Sequence, residues 1–89
     1  MLAGGTPVLT ELASTNKVIG VKQSRKAIRD GRAAKVFLAS DADPAITDPI
    51  RSECAEHAIP VEQGSTMAQL GRACRIMVGA SVAALLKSV

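Results

Sequence analysis

Apolar positions in this chain alternate between helical spacing and short continuous runs, and turn-forming residues separate the segments. Thr6 can cap a first helix that has Pro7 at its first position. A short strand at residues 18–19 follows and ends at Gly20. Helical spacing then returns over residues 21–30. The first third of the chain therefore predicts the order helix, strand, helix.

The predicted helix at residues 21–30 has two different sides, and Gly31 is well placed to end it. One side is formed by the small and apolar residues Val21, Ser24, Ala27 and Ile28. The other side carries basic residues one helical turn apart, namely Lys22, Arg25, Lys26 and Arg29. This spacing predicts a helix with one face in the core and a cationic stripe on the other.

Residues 35–39 form the clearest strand in the sequence, and residues 40–44 read as a turn with capping residues. Pro49 would break an established helix, so the next helix is predicted to begin at Asp48, with Pro49 at its first position. Its inward positions are predicted to be Ile50, Cys54 and Ala58.

Two further strands and one helix complete the prediction. Residues 59–61 read as a short strand, and Pro60 places it at the edge or end of a sheet. Ser65 can cap a helix, and residues 80–86 form a last apolar strand. The inward residues of that helix are predicted to be Met67, Leu70 and Cys74. The order α-β-α-β-α-β-α-β predicts an α/β fold with a sheet between helix layers, in a single domain spanning residues 1–89.

Charge changes this picture, because the net charge of +3 is unevenly distributed. Seven basic residues fall in one stretch that contains a single acid, Asp30: Lys17, Lys22, Arg25, Lys26, Arg29, Arg32 and Lys35. Such clustering is typical of a site for a polyanion, although a solvated helix face explains it as well. The acids collect between Asp41 and Glu62, which predicts an opposite face turned away from phosphate.

The remaining chemistry excludes several classes of protein. Phe37 is the only aromatic residue, which disfavours readers that stack bases on aromatic rings. Cys54, Cys74 and the single His57 do not have the spacing of a zinc site, so no metal and no cofactor are expected. The two cysteines are predicted to be core residues of a cytoplasmic protein. No segment has the ~20 consecutive apolar residues that are needed to cross a membrane. We expect a soluble protein that is a monomer when free.

An enzyme is also not expected from this sequence. It has no Ser-His-Asp set and no phosphate-binding loop of the GxxxxGK type. Asp41 and Asp43 stand close together but precede Pro44, where turn and capping roles explain them better than acid catalysis. A cationic helix start at residues 20–26 and a small apolar segment at residues 75–80 instead suit a bent RNA that presents phosphates, sugar edges and an unstacked base together.

Four segments in this order resemble the kink-turn RNA-binding ribosomal proteins of the L7Ae and L30e type. They are residues 18–26, 38–44, 70–74 and 76–80, and the resemblance covers about residues 16–86. It implies a three-layer α/β/α sandwich with a four-stranded mixed sheet. It also implies a structured RNA partner, with ribosomal RNA as one candidate. That RNA would contain a kink-turn, a sharp bend held by tandem sheared G·A pairs beside an extruded nucleotide.

The resemblance further implies roles for individual residues. Gly20 would let the backbone approach the RNA, Lys22 and Gln23 would reach the edges of the G·A pairs, and Lys26 would contact guanine or phosphate. Arg25 and Arg29 complete the basic stripe as expected RNA contacts. The loop over the extruded nucleotide would be formed by Ile76, Met77 and Val78. Lys22 and Gln23 are similar to the bacterial branch of the family, whereas Met77 stands where Glu is common.

Each of these assignments has a simpler alternative. Gln23 can be an ordinary exposed helix residue, Gly20 a turn glycine without a ligand, and Ile76 or Val78 part of a core strand. The whole domain can also serve as a protein-interaction module that has this fold but no RNA specificity. The sequence alone leaves these alternatives open.

Overall fold

Three helices and four strands make up the computed structural model over residues 16–87, the part of the chain that it describes. The strands are β1 (Lys17–Ile19), β2 (Ala33–Leu38), β3 (Val61–Glu62) and β4 (Val82–Leu86). The helices are α1 (Val21–Arg29), α2 (Pro44–Glu56) and α3 (Met67–Ala73). The helix predicted to start at Thr6 lies outside the described residues.

The four strands form one mixed sheet in the order β1-β4-β2-β3. Strand β4 is antiparallel to both of its neighbours, whereas β2 and β3 are parallel. Ile19 is paired with Ala83, and Leu38 is paired with Val82. The ends of β1 and β2 and the start of β4 therefore lie at the same end of the sheet. β3 is an edge strand, as Pro60 predicts.

Each face of the sheet has its own apolar core, because successive strand residues point to opposite faces. Val36 and Leu38 pack on one face with residues of α1 and α2, whereas Phe37 packs on the other face with Leu70 of α3. Ala27, Ile28, Ile50 and Cys54 are the buried helix residues of the first core. The predicted three-layer α/β/α sandwich with a four-stranded mixed sheet is thereby confirmed.

The predicted start of α2 at Asp48 is wrong, because the helix begins four residues earlier, at Pro44. Asp43 is the N-cap, and its carboxylate accepts a hydrogen bond from the backbone N–H of Ala45. Pro44 takes the favoured first position, and Pro49 lies inside the helix. A proline there removes only the hydrogen bond to the Ala45 carbonyl, which is on the exposed side of the helix.

Other predicted boundaries differ less from the structure. The prediction that Ala58 is an inward residue of α2 is wrong, because α2 ends at Glu56 and Ala58 is exposed. The cap of α3 is Thr66 rather than Ser65, because the Thr66 hydroxyl and the Gln69 side chain exchange hydrogen bonds with each other's backbone N–H groups. Burial of Leu70 and Cys74 is confirmed.

All three described helices end in the same hydrogen-bonded turn, which places one residue in the left-handed region. In α1 this residue is Gly31, with a φ of 73°, and in α3 it is Arg75, with a φ of 63°. In α2 it is Ala58, with a φ of 57°. There the Ile59 N–H donates to the Cys54 carbonyl, and the Ala58 N–H donates to that of Ala55. This is the Schellman turn, which normally has glycine at the left-handed position.

We expect Ala58→Gly to stabilise the protein by about 0.5–1 kcal/mol. Relief of left-handed strain contributes about 1–2 kcal/mol, and the greater freedom of glycine in the unfolded chain offsets about half of it. Urea unfolding of the variant checks this value. Ala55→Gly on the same helix should instead destabilise by roughly 0.5–1 kcal/mol, and equal effects of the two changes would contradict the explanation.

Candidate nucleic-acid interface

Two segments that are far apart in sequence meet at one end of the sheet. The Gly20 N–H donates a hydrogen bond of 2.9 Å to the Val82 carbonyl, which joins the start of α1 to the start of β4. The Ala39 N–H donates a bond of the same length to the Ser81 carbonyl. The turn before β4 therefore lies beside the first turn of α1, as the site predicted from the sequence requires.

Gly20 begins α1 in a backbone conformation that other residues rarely adopt, with a φ of 101°. It provides no side chain for capping, and the first turn of α1 has no acidic residue. The first N–H groups of a helix have no partner within it, and they carry the positive end of the helix dipole. The start of α1 therefore offers a compact positive region for a ligand.

Three of the predicted contacts on α1 are exposed and available. Lys22, Gln23 and Lys26 have no hydrogen-bond or ion-pair partner within residues 16–87. The buried side of the same helix consists of Ser24, Ala27 and Ile28, so the predicted division of α1 into two sides is confirmed. Within the described part of the chain, the Ser24 hydroxyl also has no hydrogen-bond partner.

Arg25 and Arg29 differ from these three, because both pair with Glu53 of α2. Arg25 Nε lies 3.0 Å from Glu53 Oε1, and Arg29 Nη2 lies 3.0 Å from Glu53 Oε2. The Glu53 side chain is only 17% exposed, and the hydrogen bond from Arg25 holds the pKa of its carboxyl below the ordinary value. The expectation that the acids face away from the basic stripe is therefore wrong for Glu53. The uncompensated charge of α1 lies on Lys22 and Lys26.

The loop at residues 75–79 is held against α3 by backbone contacts. The Ile76 N–H donates to the Gly71 carbonyl, and the Ala80 N–H donates to the Met67 carbonyl, both at 3.0 Å. A Cβ atom on Gly71 would overlap the Val78 carbonyl oxygen and would lie 3.1 Å from the Gly79 Cα. Gly71 thus allows the loop to lie directly on the helix.

This contact decides which side chains of the loop face solvent. Met77 is fully exposed and Val78 is 72% exposed, whereas Ile76 is half-buried against the second core. The alternative that Val78 is part of a core strand is therefore wrong. Ile76 packs partly against the core, but it lies in the loop and not in a strand. Two apolar side chains therefore remain in water in the loop that leads to the start of β4, and exposed apolar groups of this kind are typical of a binding surface.

Residues 6–88 match the model of the ribosomal protein L7Ae/L30e/S12e/Gadd45 family. The chain belongs to this family. Its relatives include the RNA-binding protein YbxF of Geobacillus stearothermophilus, 40% identical over 79% of this chain and 85% of the relative. An RNA-binding protein of Geobacillus sp. strain WCH70 is 38% identical over 85% of this chain and 93% of the relative.

Solved structures agree with this assignment. The 15.5 kD RNA-binding protein of Giardia lamblia superposes with a TM-score of 0.85 and 27% identity, over 91% of this chain and 72% of the other. A Bacillus halodurans protein of unknown function has the same fold, with a TM-score of 0.84 and 24% identity over 94% and 88% of the two chains. Membership of the L7Ae family, whose relatives are named as binding proteins, confirms the prediction that the chain is not an enzyme.

The sequence alone did not identify Arg72 of α3 as a candidate site residue. In the structure Arg72 lines a groove together with the loop at residues 75–79, whereas the sequence grouped only the basic residues at positions 17–35 as a site. The one available signal was its position four residues after Ala68, which puts both residues on the same side of α3. The groove itself forms only when the loop is folded back onto α3, which the sequence does not show.

The remaining chemistry of this family member is structural. Burial raises the pKa of the Cys54 thiol to about 11, and burial also raises that of Cys74. Both thiols are free and protonated at neutral pH, in agreement with the prediction that they are core residues. Residues 16–87 contain no cluster of side chains that would hold a metal ion. None of the described helices is long and apolar enough to span a bilayer.

Proposed function

We propose that this protein binds kink-turn RNA through the start of α1 and the loop at residues 75–79. The observation that carries the proposal is the hydrogen bond from Gly20 to Val82, because it joins the start of α1, where the free lysines are, to the strand that follows the loop with the exposed apolar groups. Membership of the L7Ae family supports it, as do relatives named RNA-binding proteins. A bent RNA presents a base edge, phosphates and an unstacked base at one place, and each needs a different contact.

On α1, each available side chain suits a different part of such an RNA. Gln23 offers both a donor and an acceptor to the edges of the sheared G·A pairs, whereas Lys22 and Lys26 offer only donors. The two lysines form no ion pair within the described residues, so their charge is free to meet phosphate and guanine oxygens. Gly20 leaves room for the RNA backbone at the helix start. Arg25 and Arg29 add long-range attraction and stay paired with Glu53.

An extruded nucleotide needs an apolar cover, and the loop supplies it. Phe37 is buried in the second core and cannot stack on a base from outside. Met77 and Val78 are the exposed aliphatic groups of the loop, and they would cover the nucleotide. Met77 takes the place where relatives of this type commonly have Glu, and its neutral side chain does not repel phosphate.

We further propose that the protein acts as a monomer in the cytoplasm, where free thiols such as Cys54 and Cys74 stay reduced. Ribosomal RNA is the first cellular source of kink-turns to test, because the family includes ribosomal proteins. Crosslinking in cells followed by sequencing of the bound RNA identifies the actual partner.

The test compares one kink-turn RNA with the same RNA after replacement of its sheared G·A pairs by Watson–Crick pairs. We expect the affinity to fall about a hundredfold on replacement, since the bend and the exposed base edges are lost together. A straight duplex of equal length is the control for charge alone. Equal affinity for all three RNAs would contradict the proposal and favour a protein-interaction module.

Alanine substitutions in the loop should separate its binding residues from its packing residue. Met77→Ala and Val78→Ala should each weaken RNA binding by on the order of 1 kcal/mol and leave the melting temperature nearly unchanged, because both side chains are exposed. Ile76→Ala should instead cost roughly 1–3 kcal/mol of stability. Calorimetry for binding and thermal melting for stability measure the two effects. A loss of stability in all three variants, with RNA affinity intact, would remove the loop from the interface.

A further inference from the structure

A groove of about 260 Å³ lies between α3 and the loop at residues 75–79. Ala68 and Arg72 form its helix side, one turn apart, and residues 76–79 form its loop side. This volume is just below the range of roughly 300–1,000 Å³ that holds drug-sized ligands, so it suits a smaller group. Its walls carry the same exposed apolar side chains, Met77 and Val78, that we assign to RNA binding.

Arg72 differs from most arginines of the described chain in lacking an acidic partner. Four of the six arginines in residues 16–87 form ion pairs: Arg25 and Arg29 with Glu53, Arg32 with Asp30, and Arg51 with Asp48. Arg72 and Arg75, which lie on either side of Cys74, form none within this part of the chain. The groove lining contains no acid. Arg72 therefore presents an uncompensated guanidinium group to the groove, and Arg75 begins the adjoining loop.

We propose that this groove is a second RNA subsite, which takes one unpaired nucleotide adjacent to the kink-turn. The inference rests on the proposed function, since the nucleotide belongs to the same RNA. The guanidinium of Arg72 binds its phosphate, and the apolar wall formed by Met77 and Val78 contacts the face of its base. The loop then has RNA on both sides, with the extruded nucleotide towards α1 and the second nucleotide towards α3.

Charge and position favour a nucleotide over a peptide as the occupant. An apolar peptide side chain would fill the walls but would leave the arginine without a partner, whereas a nucleotide supplies both an apolar face and an anion. The groove is also continuous with the loop that we assign to the kink-turn. An RNA held at α1 therefore reaches α3 by following the loop.

The first experiment follows the backbone amide signals of the protein by NMR while a short unstructured RNA oligonucleotide is added. We expect the signals of Ala68, Arg72 and residues 76–79 to shift. Ala68→Leu, an exposed change on the helix that fills the groove, should abolish these shifts without affecting the fold. Shifts that are absent in the wild type, or undiminished in Ala68→Leu, would overturn the inference. This outcome does not depend on kink-turn binding, which the G·A replacement tests separately.

The second experiment measures affinity for two kink-turn RNAs that differ only in the presence of an extra unpaired nucleotide beside the extruded one. Ala68→Leu and Arg72→Ala should each weaken binding of the longer RNA about tenfold and leave binding of the shorter RNA within about twofold. Arg51→Ala, on α2, removes an exposed charge elsewhere and should affect both RNAs equally. Equal losses for the two RNAs in the groove variants would show that Arg72 acts only as a distant charge and would overturn the subsite.

Discussion

Gly71→Ala should lower the affinity for kink-turn RNA by on the order of tenfold to a hundredfold, although Gly71 is buried and touches no RNA in the proposed complex. The added methyl group would overlap the Val78 carbonyl oxygen, which is backbone and cannot rotate away. The loop must then move off α3. Both exposed apolar contacts, Met77 and Val78, are displaced together, so the loss exceeds that of either side chain alone.

The expected effect on stability follows from two opposing terms. Alanine is favoured over glycine inside a helix by about 1 kcal/mol, which alone would stabilise α3. Overpacking against a rigid backbone costs roughly 1–3 kcal/mol. The second term is the larger, so we expect Gly71→Ala to be less stable than the wild type by about 1 kcal/mol while the sheet and the two other described helices remain folded. Urea unfolding and RNA titration measure the two quantities on the same variant.

Gly64 provides the matched control for this substitution. A Cβ atom at Gly64 would have no atom within 4 Å, and its φ is not in the left-handed region. Gly64→Ala should therefore leave RNA affinity and stability close to those of the wild type. If Gly71→Ala also binds like the wild type, the position of the loop on α3 does not determine RNA binding.

The sequence alone predicts a structural feature correctly where the local pattern of residues agrees with the tertiary structure. The two-sided spacing of α1 predicts which of its residues are buried, because Ser24, Ala27 and Ile28 can share only one side of a helix. The edge position of β3 follows in the same way from Pro60, which has no N–H group to donate to a second neighbour.

Features that depend on contacts between distant elements could not be predicted. The preference of proline for the first position of a helix gave the wrong start for α2. Pro49 is tolerated inside the helix because Asp43 caps the helix start and the Ala45 carbonyl, which loses its backbone hydrogen bond, faces solvent. The pairing of Arg25 with Glu53 joins two helices whose relative position no local pattern fixes. The cost of a side chain at Gly71 likewise becomes visible only when the loop lies on α3.

The contact between α1 and α2 changes the charge argument made from composition alone. Seven basic residues in one stretch suggest a broad cationic surface, but two of them neutralise Glu53 and hold α1 against α2. Affinity for RNA should then depend on a few side chains near Gly20 rather than on total charge. The residues that test this are Gln23 and Lys26, which are exposed and have no partner within the described residues.

Gln23→Ala and Lys26→Ala should each weaken kink-turn binding by roughly 1–3 kcal/mol, or about 5- to 150-fold, because contacts to base edges in a fixed geometry are of this size. Arg32→Ala is the control. Arg32 lies at the opposite end of the sheet, just before β2, and pairs with Asp30 at 3.5 Å, so its loss should remove only long-range attraction.

These substitutions are at exposed positions, so the melting temperature should stay within a degree or two of the wild type and differences in RNA affinity will report on contacts. Repeating the titrations at several salt concentrations separates the two proposed roles. Lys26→Ala should flatten the salt dependence by about one phosphate contact, whereas Gln23→Ala, which removes no charge, should lower the affinity equally at every salt concentration. If all three variants bind the RNA with equal affinity, α1 attracts RNA only through its charge and Gln23 is an ordinary surface residue.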